Sequence, residues 1–167
     1  MNVLILGSGG REHAFAYKIS QSELCKNLYV APGNSGTREI ASNLEIQLNQ
    51  FEKIAEAIKN LNVSLVVVGP EVPLVNGLTD FINGDNDLKD IIVIGPNKYA
   101  AQLEGSKDFA KDFLNRHNIP TASHKTFTAE NINDAFSYID EMKAPYVLKA
   151  DVLAAGKGVL IIANPNE

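Results

Sequence analysis

The chain has 167 residues, of which 45% are hydrophobic and 21% are charged, a balance typical of a globular protein rather than a disordered or fibrous one. Its net charge of -5 argues against a nucleic-acid-binding surface, because such surfaces concentrate Lys and Arg. The longest apolar runs are much shorter than the roughly 20 residues that cross a bilayer, so no membrane span is expected.

Cys25 is the single cysteine, so an internal disulfide is impossible. The first residues lead directly into a strand, without the basic flank and the cleavage site of a signal peptide. Together these features predict a reducing, cytoplasmic setting.

The first hundred residues alternate short apolar strands with helices. Strands are predicted at 3–6, 28–30, 63–68 and 91–94. Such an alternation predicts a parallel, doubly wound α/β sheet with right-handed crossovers. Helices are predicted over 12–24 with Phe15, Ala16 and Ile19 facing the sheet, over 51–61, and over 74–82.

Glycine and proline follow every one of these strands. In a parallel sheet such turns line the carboxyl edge, where ligands bind. The turns are Gly7-Ser8-Gly9-Gly10, Pro32-Gly33, Gly69-Pro70 and Gly95-Pro96.

The β-α rhythm stops near Gly105, which predicts a domain boundary there. Ser106 is expected to cap a helix that runs to Arg116. The following elements are predicted to be an extended stretch over 121–127, a helix over 131–142, and strands at 146–149 and 159–162. In the helix, Ile132, Ala135, Phe136 and Ile139 are expected to face inward.

The first motif that suggests chemistry is the turn Gly7 to Gly10, followed by Arg11 and Glu12. A glycine-rich turn before a helix presents backbone N–H groups and the positive end of the helix dipole to an anion, and Arg11 can add a bidentate phosphate contact. The sixth position of the fingerprint G-x-G-x-x-G is Glu12 here, and no acid ends the strand at Val30, which counts against NAD. The alternative is that the glycines serve only the turn and that Arg11 is solvated.

Glu71 and Asn34 follow predicted strands on the same edge. Glu71 could bind a sugar hydroxyl or an amine, or it could serve only as a favourable charge at a helix N-terminus. Asn34 could likewise bind the ligand, or it could serve only in the turn, where asparagine is common.

The last motif joins Lys149, at a strand end, to the loop Gly156-Lys157-Gly158. A lysine-bearing glycine loop between two strands suggests a cover for phosphates. The sequence differs from G-x-x-x-x-G-K-[ST], which disfavours a P-loop. A plain hairpin with surface lysines is the alternative.

Five segments occur in the order and spacing of the glycinamide ribonucleotide synthetases, which the chain resembles over its whole length. That family belongs to the ATP-grasp superfamily. The resemblance implies a Rossmann-like parallel-sheet domain over residues 1–104 and the start of an ATP-grasp domain over residues 105–167. The segments are Gly7 to His13, Ala31 to Asn34, Val68 to Glu71, Ala101 to Lys107, and Lys149 to Val159.

The resemblance also implies a reaction in purine synthesis. ATP phosphorylates the carboxylate of glycine, and the amine of 5-phosphoribosylamine attacks the acyl phosphate to give glycinamide ribonucleotide, ADP and phosphate. Mg²⁺ is implied as the cofactor, with its ligands beyond residue 167. Implied ATP contacts are Lys107, Lys149, Gly156, Lys157 and Gly158, and implied substrate contacts are Gly7, Gly9, Gly10, Arg11, Glu12, Asn34 and Glu71.

Two positions depart from the family pattern, Val72 and Val152. Val152 replaces a usual glycine, and a β-branched residue there is strained if the backbone has a positive φ. Family members are more than twice as long, so we expect an amino-terminal fragment that does not catalyse the ligation alone.

Two other interpretations stay open. Another ATP-grasp ligase or carboxylase would share the lysine and lid features, but not the Gly9 to His13 motif together with Leu103 to Lys107. A non-catalytic module that binds a nucleotide or a phosphosugar is the second. Formation of glycinamide ribonucleotide would distinguish the ligase from both alternatives.

Overall fold

A computed structural model describes residues 1–153 and 157–164 of the chain. These residues form two compact units, Met1–Ala101 and Gln102–Glu167. Among the described residues, none of the helices combines the length and the apolar composition that a bilayer crossing requires.

The first unit contains a five-stranded parallel sheet, which confirms the predicted fold class. Its strand order is β3-β2-β1-β4-β5. The short, polar β3 carries no apolar run, which explains why sequence patterning missed it. The strands are β1 (Asn2–Gly7), β2 (Asn27–Pro32), β3 (Ser42–Asn43), β4 (Val63–Val68) and β5 (Ile92–Ile94).

Five α-helices accompany the sheet in sequence. The single helix predicted over 74–82 is wrong, because the chain breaks at Gly77, whose φ of +94° is left-handed. The last helix was not predicted at all. The helices are α1 (Gly10–Ser20), α2 (Phe51–Asn60), α3 (Glu71–Val75), α4 (Leu78–Gly84) and α5 (Lys98–Gly105).

Both faces of β1 are buried, as expected for a central parallel strand. Leu4 and Leu6 join the core on the side of α2, whereas Val3 and Ile5 join the core beneath α1. The prediction that Phe15 faces the sheet is wrong, since its side chain is 45% exposed. Glu12, Ala16 and Ile19 occupy the inner face of α1 instead, at the i, i+4, i+7 spacing of one helix side.

The second unit contains α6 (Lys107–Arg116), α7 (Asn133–Glu141) and a two-stranded antiparallel sheet of β6 (Tyr146–Lys149) and β7 (Val159–Ile162). The predicted cap is present, since Ser106 Oγ accepts a hydrogen bond from Phe109 N at 3.1 Å. Ile132 and Phe136 were expected to face inward but are 50% and 68% exposed.

Candidate functional site

In the first unit, the turns that follow β1, β2 and β4 lie side by side at the carboxyl edge of the sheet. Gly33 N donates to Gly7 O at 3.1 Å, and Gly69 N donates to Leu6 O at 2.9 Å. The strand order also reverses here, because β1 is flanked by β2 on one side and by β4 on the other. Such a switch point is the usual ligand position in an open α/β sheet.

Glu12 lies beneath this edge rather than at its surface. Its side chain is only 4% exposed. Oε2 accepts a hydrogen bond from Gly9 N at 2.7 Å. Gly9 is the N-cap of α1 and Glu12 its third residue, so this bond is the side-chain-to-N-cap contact of a capping box. The N–H of Gly9, which the sequence assigned to a phosphate, is therefore already used within the chain.

The Glu12 side chain explains three glycines around it. A Cβ added at Gly7, where φ is +133°, would lie 2.5 Å from Glu12 Cγ. A Cβ at Gly9 would lie 2.9 Å from Glu12 Oε2, and one at Gly69 would overlap Oε1. By contrast, no atom lies within 4 Å of a Cβ built at Gly10. Three of the glycines thus make room for a buried carboxylate.

The outer surface of the turn stays accessible. Gly9, Gly10 and Arg11 are exposed. An α-helix leaves its first backbone N–H groups without intrahelical acceptors, so Gly10 and Arg11 supply donors at the N-terminus of α1. The exposed guanidinium of Arg11 belongs to the same first turn.

Asn34 is held in place by its own turn. Its Nδ2 donates to Ser8 O at 2.9 Å, and its Oδ1 accepts from Thr37 N at 3.0 Å. Thr37 is fully buried and its Oγ1 contacts Asn43 Oδ1 at 2.9 Å. Asn34 therefore ties the turn after β2 to the turn after β1. Sequence analysis missed Thr37, although Asn followed three residues later by Thr is a turn signal.

Glu71 is the first residue of α3 and is half-buried. It follows Pro70, whose extended backbone precedes the helix. His13 packs against Gly36, where an added Cβ would overlap the imidazole ring. This packing agrees with a structural role for His13.

In the second unit, the start of α6 is bound to the residues that follow β6. Asp151 Oδ1 accepts from Lys107 N at 2.5 Å and from Asp108 N at 3.2 Å. Lys107 Nζ donates to Val152 O at 2.8 Å. Lys107 thus contacts the residues just after β6 through both its backbone and its side chain.

Of the other predicted ATP residues, Lys149 belongs to β6, and Lys157 and Gly158 immediately precede β7. Lys149 ends β6 opposite Val159, and Lys149 and Lys157 are both exposed. Gly158 has a φ of +71°, and its carbonyl accepts from Ala150 N at 2.9 Å. Gly156 lies outside the described residues. Within the described ranges, the two non-glycine residues with positive φ are Asn62 and Asn118, so the strain anticipated at Val152 is absent.

Asp108, Asp112 and His124 form a group that sequence analysis did not identify. Their ligand atoms lie within 4.8 Å of one another. Thr126 Oγ1 also donates to Asp108. Acidic groups come together on protein surfaces without a metal, and nothing beyond this proximity indicates an ion. We assign no metal site to them.

Comparison with known proteins gives matches over the whole chain. The family model described as Phosphoribosylglycinamide synthetase, N domain, matches residues 1–104, and that described as Phosphoribosylglycinamide synthetase, ATP-grasp (A) domain, matches residues 105–167. The phosphoribosylamine--glycine ligase of Pseudomonas syringae is 51% identical over 169 residues. That alignment covers 100% of this chain and 38% of the relative, so the chain spans well under half of that protein's length.

Solved structures agree with this relationship. Phosphoribosylamine--glycine ligase from Thermotoga maritima superposes with a TM-score of 0.73 at 33% identity, over 98% of this chain and 36% of that one. The carboxyaminoimidazole ribonucleotide synthase of Aspergillus clavatus, complexed with ATP, has a TM-score of 0.71 at 15% identity, over 99% of this chain and 42% of that one. The second likeness concerns the fold alone. The matches to both family models show that this chain belongs to the phosphoribosylglycinamide synthetase family.

Proposed function

We propose that the chain supplies the amino-terminal part of an ATP-dependent ligase that joins glycine to 5-phosphoribosylamine. The observation that carries this proposal is the match to both family models along the chain, together with 51% identity to a phosphoribosylamine--glycine ligase. The proposed domain limits are 1–104 for the Rossmann-like domain and 105–167 for the start of the ATP-grasp domain. Product formation from glycine, ATP and 5-phosphoribosylamine would place it in purine biosynthesis.

The proposed reaction has two steps. The carboxylate of glycine attacks the γ-phosphorus of ATP, which breaks the bond to the bridging oxygen and gives an acyl phosphate and ADP. The amine of 5-phosphoribosylamine then attacks the acyl carbon, loses a proton and expels phosphate. Neither step needs a covalent enzyme nucleophile, since phosphoryl transfer depends mostly on positioning and on stabilisation of charge at the phosphate oxygens.

The chain's lysines suit the nucleotide half of this task. Lys149 and Lys157 are exposed on the hairpin, and Lys107 is fixed at the start of α6. Lysine is a point charge with three donors, which fits phosphate oxygens without a fixed orientation. We assign these lysines with Gly156 and Gly158 to ATP. Mg²⁺, when bound, would offset charge on the phosphates.

The turn at the start of α1 suits the phosphate of the ribosyl substrate. Gly10 and Arg11 supply backbone donors, and the Arg11 guanidinium supplies a bidentate partner. Glu71, at the same edge of the sheet, is assigned to an uncharged donor group of the substrate, since a carboxylate accepts hydrogen bonds and repels phosphate. The charge and the single reduced cysteine, Cys25, support a cytoplasmic location.

The experiment is product formation by the protein expressed from the complete reading frame that contains this sequence. Purified protein is incubated with glycine, ATP, Mg²⁺ and 5-phosphoribosylamine, and glycinamide ribonucleotide is identified by mass spectrometry. We expect one ADP per product. ADP release without product, or with bicarbonate in place of glycine, would favour another ATP-grasp ligase or carboxylase. Binding without any turnover would favour the non-catalytic module.

A further inference from the structure

The buried carboxylate of Glu12 is unusual in its surroundings. Oε2 has one partner, Gly9 N, at 2.7 Å. Oε1 is fully buried and has no hydrogen-bond partner among the described residues. Burial of a carboxylate oxygen without a partner destabilises a folded protein, so such an atom calls for a reason other than stability.

The position of Glu12 supplies that reason. Its side chain fills the space between the end of β1, at Gly7 and Gly9, and Gly69, which follows β4. These two strand ends flank the switch point of the sheet, where the phosphate turn lies. Contact on both sides lets one side chain fix the distance between the turn and β4.

Direct contact with the substrate phosphate does not fit Glu12. The side chain is only 4% exposed beneath the turn, so a phosphate bound at the outer surface of the turn does not reach it. Instead, Glu12 accepts the hydrogen bond of Gly9 N–H, so this donor is not available to an anion. The backbone N–H groups of Gly10 and Arg11 remain available. The sequence-based assignment of Glu12 to the substrate is therefore better replaced by an indirect role.

We propose that Glu12 is a positioning residue, which holds the turn Gly7 to Gly10 against the end of β4 and so sets the backbone donors for the substrate phosphate. The inference deepens the proposed function and rests on it for its kinetic test. Its structural test is independent of any activity.

The structural test is a double-mutant cycle of thermal unfolding. Gly69→Ala places a methyl group against Glu12 Oε1, and we expect the Tm of the 167-residue chain to fall by about 4–8 °C. In a Glu12→Ala background the methyl group has space, so Gly69→Ala should lower the Tm by less than half as much. Gly84→Ala is the control, since no atom lies within 4 Å of a Cβ built there. An equal cost in both backgrounds overturns the contact.

The kinetic test uses the protein from the complete reading frame. Glu12→Ala should raise the KM for 5-phosphoribosylamine about ten-fold and leave the KM for ATP unchanged. Glu12→Gln, which keeps an acceptor for Gly9 N and the same shape, should restore the KM. If Gln fails as Ala does while its Tm is normal, the charge acts on the substrate and the positioning proposal is wrong. Absence of ligation by the unmodified protein would overturn the proposed function, and the unfolding cycle alone would then decide the role of Glu12.

Discussion

Asp151 and Lys107 are joined by a hydrogen bond of 2.5 Å from the backbone N–H of Lys107 to the Asp151 carboxylate. Ser106 Oγ donates to the other oxygen of the same carboxylate at 3.0 Å. The N-terminus of a helix favours such an anion, because its first N–H groups lack intrahelical acceptors. A residue just after β6 is thereby fixed to the start of α6, and two lysines proposed for ATP, Lys107 and Lys149, lie beside this link.

The first prediction concerns this link. Asp151→Ala should lower the free energy of unfolding of the second unit by about 1–2 kcal/mol, through loss of the carboxylate's bonds to the helix N-terminus. Asp151→Asn, which keeps an acceptor oxygen, should cost less. Urea unfolding measures both, with the exposed Asp140→Asn as the control. If the alanine variant is as stable as the control, the link contributes nothing to stability.

A second prediction concerns Val152, whose backbone is free of positive φ and whose carbonyl accepts from Lys107 Nζ at 2.8 Å. Val152→Gly relieves no strain and adds backbone freedom to the unfolded chain, which should lower the free energy of unfolding by about 0.5–1 kcal/mol. We therefore expect ATP affinity, measured by calorimetry on the complete protein, to stay the same or to weaken slightly. A clear gain in affinity would show that ATP binding requires a different backbone conformation there.

The sequence predicted what depends on local pattern. The four apolar strands of the sheet were predicted because their β-branched runs end at glycine or proline, and the cap at Ser106 was predicted from its residue type and position. The family motifs also indicated which strand ends would carry the candidate site.

Sequence patterning failed where tertiary contacts decide the outcome. The resemblance implied that Glu12 contacts the substrate, and no local pattern reveals that the glycines at 7, 9 and 69 create a buried space for its side chain. Phe15 was expected to face the sheet because it is apolar, but Glu12 lies on the inner face of α1 and Phe15 is exposed. The bond between Asp151 and Lys107 joins residues 44 positions apart, which no local pattern can reveal.

A third prediction concerns Arg11, which is exposed in the first turn of α1. Arg11→Ala in the complete protein should raise the KM for 5-phosphoribosylamine about ten-fold or more, because a charge-assisted contact to phosphate is lost. The KM for ATP should stay within about two-fold, since the proposed ATP lysines belong to the second unit. Lys18→Ala, at the other end of the same helix, is the control. Equal effects on both substrates would remove Arg11 from the phosphate site.

The fourth prediction concerns the thiol of Cys25, whose pKa is raised by partial burial, an effect that the nearby amino terminus opposes. Reaction with iodoacetamide requires the thiolate. The pH at which alkylation reaches half its maximal rate should therefore be higher for the folded chain than for the chain in urea. Rates measured by mass spectrometry between pH 7 and pH 10 give both midpoints. A lower midpoint in the folded chain would mean that the amino terminus outweighs burial.

The last prediction is that the second unit opens more readily than the first. Val66 is fully buried and Val68 is 8% exposed in β4, whereas Leu160 and Ile161 in β7 are 64% and 73% exposed. Opening of a two-stranded sheet with exposed apolar side chains gives up little burial, so its local opening free energy should be low. Hydrogen exchange of the 167-residue chain, followed by NMR, should therefore show slow exchange at Val66 N–H and exchange at least about 100-fold faster at Leu160 N–H, a difference of roughly 2.7 kcal/mol. Leu160 lies opposite Leu148, two residues along β6 from the hydrogen-bonded pair of Ala150 and Gly158, so its N–H also belongs to a hydrogen-bonded pair. The comparison therefore separates burial from hydrogen bonding. Equal protection of the two strands would mean that other contacts stabilise β7, and the exposed apolar face of the hairpin would not be its weak point.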